Sequence, residues 1–319
     1  MKVIDRLENI SQPFKNAVIT IGNFDGVHIG HQALFYEVIQ KADAIDGTSI
    51  AMTFEPHPMR VLQKNSLPPL ITLYEQKNEL IERTGIDILI CIPFTREFAS
   101  LSAEAFIKDL LIATIGMRAI VVGKDYTFGR NREGNLSVLN FYASQLGYEV
   151  IVADWIKAER EIADRISSTK IRELIMAGEV EPARKMLGRH YQIRGVVVKG
   201  RDRGGKLLGI PTANIHLQDE LCPKTGIYAV TVEYHQRLYK GVANIGYSPT
   251  FDDNQFTVEV HLLNFSENIY GEKIRVNFIE RIRDEKKFAG IADLKEQIHQ
   301  DVKAAHKILA AYETTGRIR

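Results

Sequence analysis

Two histidines three residues apart, His28 and His31, lie in the stretch Gly22-Asn23-Phe24-Asp25-Gly26-Val27-His28-Ile29-Gly30-His31. On a helix that spacing puts both imidazoles on one side, where each can donate to phosphorus oxygens as charge develops on them. Gly26 and Gly30 omit Cβ atoms where a nucleotide would approach the backbone closely. A second cluster, Arg165-Ile166-Ser167-Ser168-Thr169-Lys170-Ile171-Arg172, sets three consecutive hydroxyls among three basic residues. Capping the helix that follows accounts for one hydroxyl; the whole set, with helix-terminal N–H groups, makes a phosphate cradle. A third stretch, running from Gly200 through Lys206 and Gly209 to Asn214, is a Gly-rich basic loop that can wrap phosphates, or an exposed hairpin. It lacks the Gly-Lys-Ser/Thr ending of a P-loop. In Gly123-Lys124-Asp125-Tyr126-Thr127-Phe128-Gly129 a carboxylate stands beside two aromatic rings, which suits a planar heterocycle as well as it suits a core. His57, in Glu55-Pro56-His57-Pro58, reads equally as a turn residue or a substrate contact.

These residues need elements to hold them. Ala17–Ile21 is apolar and β-branched, a buried strand, and Leu34, Phe35, Val38 and Ile39 then recur at helical spacing. The histidines therefore fall where a strand hands over to a helix, whose unpaired N–H groups attract phosphate. Further strands are expected at Ser49–Phe54, Ile86–Ile92, Arg118–Gly123 and Tyr148–Ala153. Helices are expected from a Thr72/Glu75 capping box to Gly85, over Ser102–Thr114 and over Leu136–Leu146. Apolar strands alternating with helices predict an α/β, Rossmann-like domain, a parallel sheet covered on both faces with ligands at its carboxyl edge. From Tyr191 the texture changes to shorter strands of mixed polarity: Tyr191–Lys199, Gly226–Tyr234, Leu238–Ile245, Thr257–Phe265 and Lys273–Ile282. They predict a mostly antiparallel β-barrel or sandwich. A last helix begins near Asp293 and Glu296, with Leu294, Ile298, Val302, Ala305 and Leu309 as its apolar stripe. The linker falls near Leu187–His190, giving domains at 1–186 and 187–319.

With 319 residues, 45% of them hydrophobic and 25% charged, the chain is large enough for two ordinary globular domains. A net charge of +1 argues against a general nucleic-acid binder. Cys91 and Cys222 are far apart and in no Cys-x-x-Cys pair, so neither a disulfide framework nor a zinc site is expected. The start, Met1-Lys2-Val3-Ile4-Asp5-Arg6, lacks a signal-peptide core and no apolar run reaches membrane-spanning length; a cytoplasmic location is expected by elimination.

His-x-Gly-His at a strand-to-helix turn resembles the nucleotidyltransferase superfamily, which moves a nucleoside monophosphate from ATP to an acceptor. Gly22–His28, Thr53-Phe54-Glu55-Pro56-His57-Pro58 and Ser167-Ser168-Thr169-x-x-Arg172, in that order, resemble the adenylyltransferase module of bacterial bifunctional FAD synthetases. Gly209-Ile210-Pro211-Thr212-Ala213-Asn214, Asn244-Ile245-Gly246 with Pro249-Thr250-Phe251, and Val258–Leu263 are similar to riboflavin kinase signatures. The resemblance implies riboflavin phosphorylation in the barrel and FMN adenylylation in the α/β domain. ATP is then the co-substrate, Mg²⁺ the cation, and riboflavin, FMN and FAD the remaining ligands. It implies Asn23, His28, His31 and Glu259 as catalytic residues. Gly30, Asp125, Arg165, Ser168, Thr169, Arg172, Gly200, Lys206, Gly209, Thr212, Asn214 and Arg283 become ligand-binding residues, with Thr212 and Asn214 also on the metal. Tyr126 stands where that family more often has Phe; the ring is kept. His28-Ile29-Gly30-His31 also matches the class I aminoacyl-tRNA synthetase signature, but a near-neutral chain ending in a small barrel offers no Lys-rich second signature or tRNA-binding region. A flavin carrier without activity would keep the aromatic and Gly-rich loops and need neither the histidines nor Glu259.

Overall fold

The computed structural model of the chain describes residues 1–62, 69–154, 166–199, 211–217, 219–248 and 255–314. Arg165, Gly200, Lys206, Gly209 and Pro249-Thr250-Phe251 lie outside the described residues. The chain divides into two compact units, Met1–Ser168 and Thr169–Arg319.

The first unit runs β1 (Lys2–Ile4), β2 (Ala17–Ile21), α1 (Ile29–Ala44), β3 (Ser49–Glu55), α2 (Pro58–Leu62), α3 (Tyr74–Glu82) and β4 (Ile88–Pro93). It continues through α4 (Arg96–Ala99), α5 (Ala103–Ala105) with a π-helical continuation over Phe106–Ile115, β5 (Met117–Gly123), α6 (Leu136–Leu146) and β6 (Glu149–Ala153). The six strands are parallel in the order β1-β4-β3-β2-β5-β6. Strand alternation sends Val18 into one core with Phe35, Val38, Ile81 and Leu89, and Ile19 and Ile21 into another with Phe106, Leu111 and Phe128. Both faces of the sheet are therefore covered, which is why its strands are apolar throughout. From β2 the chain winds outward through β3 and β4 on one side and through β5 and β6 on the other. The switch point lies between β2 and β5, and in such sheets the ligand crevice opens beyond the carboxyl ends of those strands.

The second unit carries α7 (Ser168–Ala177, its first residue closing the first unit), α8 (Val180–Leu187) and strands β7 (Tyr191–Val198), β8 (Ala213–His216), β9 (Gly226–Tyr234), β10 (Arg237–Ser248), β11 (Gln255–Leu262) and β12 (Lys273–Arg283). The strands close into an antiparallel barrel in the order β10-β11-β8-β7-β12-β9. Its interior is built from alternate residues such as Ile193, Val230, Val232, Val258, Val260, Val276 and Phe278, all at most 1% exposed. The terminal helix α9 (Ile291–Thr314) lays Ala305, Leu309 and Tyr312 against Ala229, Ile279, Val242 and Ile282. Among the described residues no helix is long and apolar enough to cross a membrane. Cys91 and Cys222 are free thiols.

Two local expectations are corrected. Thr72 does not open α3: Leu73 occupies the N-cap without a side-chain bond, and the Thr72 hydroxyl is used elsewhere. A buried carboxylate, Asp25, competes for it, and that tertiary bond wins over the local cap. Asp293 and Glu296 lie inside α9, which already begins at Ile291.

Candidate active sites

The turn from β2 into α1 is shaped by its backbone. Phe24, Gly26 and Val27 have φ of 48°, 85° and 40°, left-handed values that only Gly adopts without strain. Such a turn persists only when its surroundings over-determine it, and two anchors do so. The buried Asp25 carboxylate accepts from the Ile71 and Thr72 N–H groups at 3.0 and 3.1 Å, while Thr72 Oγ1 accepts from the Gly26 N–H at 3.0 Å. On the other side Thr53 Oγ1 donates to the Asn23 carbonyl at 3.2 Å. Ser168, the last residue of the first unit, donates to the Asp25 carbonyl at 2.9 Å, which brings this one hydroxyl to the histidine motif.

His28 is the N-cap of α1 and is 6% exposed. The His31 N–H donates to the His28 carbonyl at 2.8 Å and lies 3.3 Å from His28 Nδ1. An accepting Nδ1 assigns the proton of neutral His28 to Nε2, making that atom a donor. The His28 and His31 rings stack with centroids 3.6 Å apart and planes at 18°, so the three-residue spacing does place them side by side. Phe24 meets His31 edge-on at 5.3 Å and fixes its ring. A Cβ at position 30 would stand 3.1 Å from both Cε1 and Nδ1 of His28, so Gly30 leaves that ring room to sit close over the backbone. The site thus offers two ordered imidazoles at a helix N-terminus beside the switch point, an arrangement for holding a phosphate chain.

After β5, Asp125 is exposed in a turn closed by Tyr126 N–H to the Gly123 carbonyl. Phe128 is buried and stacks with Tyr126 at 5.5 Å; ring contacts continue through Phe106, Phe98, Phe94 and Phe54. Phe54 lies near the carboxyl end of β3, Phe94 and Phe98 just after β4, and Tyr126 and Phe128 after β5, at the carboxyl edge of the sheet; Phe106 joins them from the start of the π-helical stretch. His57 Nδ1 accepts from the Met59 N–H at 3.3 Å, as a turn residue does. Thr169 and Arg172 lie in the first turns of α7, exposed and half-buried respectively.

In the barrel, strand register assembles a second constellation. Glu259 of β11 directly opposes Asn214 of β8 on one side and Asn244 of β10 on the other. Directly opposed residues share a face, so the three form a row across three strands, on the side opposite the buried Val258 and Val260. Desolvation pushes the Glu259 carboxyl above the ordinary glutamate range. His261, two residues on, donates from Nδ1 to the Pro211 carbonyl at 2.8 Å and ties down the entry of Thr212 into β8. Glu285 fills the space over Gly246, on the next residue pair of β10 along that face.

Arg283 is committed to a bidentate pair with Asp301 of α9, Nε to Oδ1 at 2.8 Å and Nη2 to Oδ2 at 2.6 Å, and donates from Nη1 to the Asp284 carbonyl. It anchors the segment after β12 to the last helix. Sequence reasoning assigned no role to Asp25, Thr53, Lys77, Asn244, Glu285 or Asp301. Lys77 and Asp301 did carry a signal: each is four residues before a buried apolar residue of its own helix, Ile81 and Ala305.

Residues 10–170 match the family model for FAD synthetase and residues 187–309 that for riboflavin kinase. The bifunctional riboflavin kinase/FMN adenylyltransferase of Buchnera aphidicola from Schizaphis graminum is 37% identical over 96% of this chain and 98% of its own length. The Escherichia coli K12 protein of the same name is 36% identical over 94% of this chain and 96% of its own. A crystal structure described as a macrolide-efflux protein from Streptococcus pneumoniae superimposes with a TM-score of 0.85 at 33% identity, covering 95% of this chain and 98% of that one. An α/β nucleotide-transfer unit followed by a closed six-stranded barrel is the architecture of a two-module flavin-nucleotide transferase. The chain belongs to the bifunctional riboflavin kinase/FMN adenylyltransferase family. It converts riboflavin to FMN and FMN to FAD with ATP as co-substrate.

Proposed function

We propose that FMN adenylylation occurs at the β2–α1 turn and riboflavin phosphorylation along the Asn214–Glu259–Asn244 row, with residues 1–186 and 187–319 as the working modules. In the first reaction an FMN phosphate oxygen attacks the α-phosphorus of ATP, the bond to the β-phosphate breaks, and pyrophosphate leaves. His28 and His31 donate to the oxygens that gain charge, Asn23 serves catalysis with them, and Gly30 borders the nucleotide. Ser168, Thr169 and Arg172, with Arg165, receive the β- and γ-phosphates. Asp125 and the rings around Phe128 hold the flavin. The observation that carries this reading is the stacked pair of imidazoles at the N-terminus of α1. Donors of this kind, aimed at developing charge, typically contribute ~100-fold or more.

In the second reaction the ribityl 5′-hydroxyl attacks the γ-phosphorus and Glu259 accepts the hydroxyl proton as ADP departs. A base with a raised pKa lies closer to the operating pH, which favours proton transfer. Thr212 and Asn214 present hard neutral oxygens, and Asn214 adjoins the Glu259 carboxylate, a donor set that fits Mg²⁺ shared with phosphate oxygens. When bound, that ion neutralises phosphate charge. Gly200, Lys206 and Gly209 complete the nucleotide loop, and Arg283 supports the flavin side through the segment it anchors. Both reactions draw on cytoplasmic ATP, and we place the protein there.

The test is incubation with riboflavin and Mg–ATP, following FMN and FAD by chromatography. His28→Ala or His31→Ala should accumulate FMN and stop at it. Parental FAD synthesis in either variant removes that histidine from the mechanism.

A further inference from the structure

Lys77 of α3 is 6% exposed, and its ammonium donates to Thr53 Oγ1 at 3.2 Å and to the Phe54 carbonyl at 3.4 Å. Thr53 is 0% exposed and passes its own proton to the Asn23 carbonyl at 3.2 Å. Direction is forced in this chain of bonds. An ammonium has no lone pair, so Thr53 must accept from Lys77, and its single proton is left for Asn23. Asn23 leads into the left-handed turn at Phe24, whose far side is held by Asp25, Thr72 and Ile71. Ile71 and Thr72 immediately precede α3, so one helix carries both anchors of the turn. Packing alone would be served as well by Met: a buried ammonium carries a desolvation cost that its two direct hydrogen-bond partners, both neutral, offset only in part.

We propose that Lys77 is a positioning residue for FMN adenylylation: through Thr53 it fixes the Asn23 carbonyl and hence the turn that aims His28 and His31. This rests on the reading that those histidines serve adenylyl transfer. The groups facing the ammonium are Cys91 of β4, Glu55 at the end of β3 and Asp25 in the turn, with Tyr74 of its own helix bonded to Cys91. Burial lowers the Lys77 pKa, so the charged form that orients Thr53 is lost at a lower pH than for an exposed lysine.

The test compares full-length parent, Lys77→Met, Thr53→Val, the double variant and His28→Ala, assaying both reactions on each preparation. Lys77→Met is expected to lower kcat for FAD formation about 10- to 100-fold, the cost of a small misplacement of reacting groups. KM for FMN should change little, and riboflavin phosphorylation should continue at the parental rate. The double variant should lose no more than Lys77→Met alone, because both changes break one chain. Parent adenylylation should fall on the alkaline side as Lys77 deprotonates. Cys91 and Tyr74 are pushed up by burial and titrate in that region too, so the limb is assigned by its disappearance in Lys77→Met. Parental adenylylation in Lys77→Met, equal loss of both reactions, additive losses in the double variant, or an alkaline limb that persists without Lys77 would each overturn the inference. Parental FAD synthesis in His28→Ala would instead remove the reading on which it rests.

Discussion

At the scale of the residue, Glu259 and Tyr126 are both set by burial, with opposite consequences. Because the folded barrel binds the Glu259 proton more tightly than the unfolded chain does, ionising it costs stability, and that cost appears as pH rises through the raised pKa. If Glu259 is the base proposed above, it must be ionised to act, and the kinase rate should climb through the same window. Glu259→Gln should abolish that rise and reduce phosphorylation by about 100- to 10,000-fold. The same variant should melt above the parent at neutral pH and converge with it in acid, as read by thermal scans at several pH values. Parental phosphorylation by the variant would exclude Glu259 as the base. Tyr126 stacks on Phe128, but its hydroxyl is buried and finds no hydrogen-bond partner among the described residues. Burial accordingly pushes its phenol well above the usual range. Tyr126→Phe should stabilise the first unit by on the order of 1 kcal/mol, measured by the midpoint of urea unfolding. The motif residues were legible because their types and order are specific. The Gly30–His28 packing was not, since nothing in four letters says which ring will lie over the missing Cβ.

At the scale of the element, regular strands were readable and their exceptions have causes. Leu136–Leu146 and Gly226–Tyr234 end where their patterns do, at Gly147 and before a two-residue reversal at His235 and Gln236. β1 has three residues and β8 four, too short for a period to show. The expected helix after Ser102 exists, but its body over Phe106–Ile115 is π-helical, which an α-helical period does not distinguish. Charged residues in phase with an apolar stripe deserve to be read as contacts rather than as exposed surface. Asp301, at the buried phase of α9, meets Arg283, with side chains 5% and 14% exposed. Asp301→Ala should therefore leave a buried guanidinium and cost about 3–5 kcal/mol, while Arg283→Met with Asp301→Leu should recover most of it. Calorimetry of the barrel transition separates the two; equal melting of parent and Asp301→Ala would show the pair to be idle.

At the scale of the whole molecule, the sequence placed the change of texture at Tyr191, whereas the compact units divide at Ser168/Thr169. The difference is α7 and α8, helical in pattern like the first half yet grouped with the barrel. Val180, Ala183, Met186 and Leu187 of α8 are buried, and α8 packs on β7 and β12. Apolar periodicity reports that a helix has a buried face, not which sheet it covers. A fragment of residues 169–319 should thus fold and phosphorylate riboflavin. One of residues 191–319 should be less stable, since each large apolar side chain left unburied forfeits about 1.5–3 kcal/mol. Circular dichroism melts and a kinase assay on both fragments decide it; equal stability would make α8 dispensable to the barrel. A broader consequence follows from the register of β11. Val258 and Val260 face inward while Thr257, Glu259 and His261 face the other way, so odd and even positions of one strand answer to different demands. If the Glu259 row is the kinase site proposed above, aliphatic exchanges at the even positions can retune heat tolerance without a vote from catalysis, and changes at the odd ones can alter the reaction without reopening the core. Neighbouring codons are in this sense free to evolve on separate schedules.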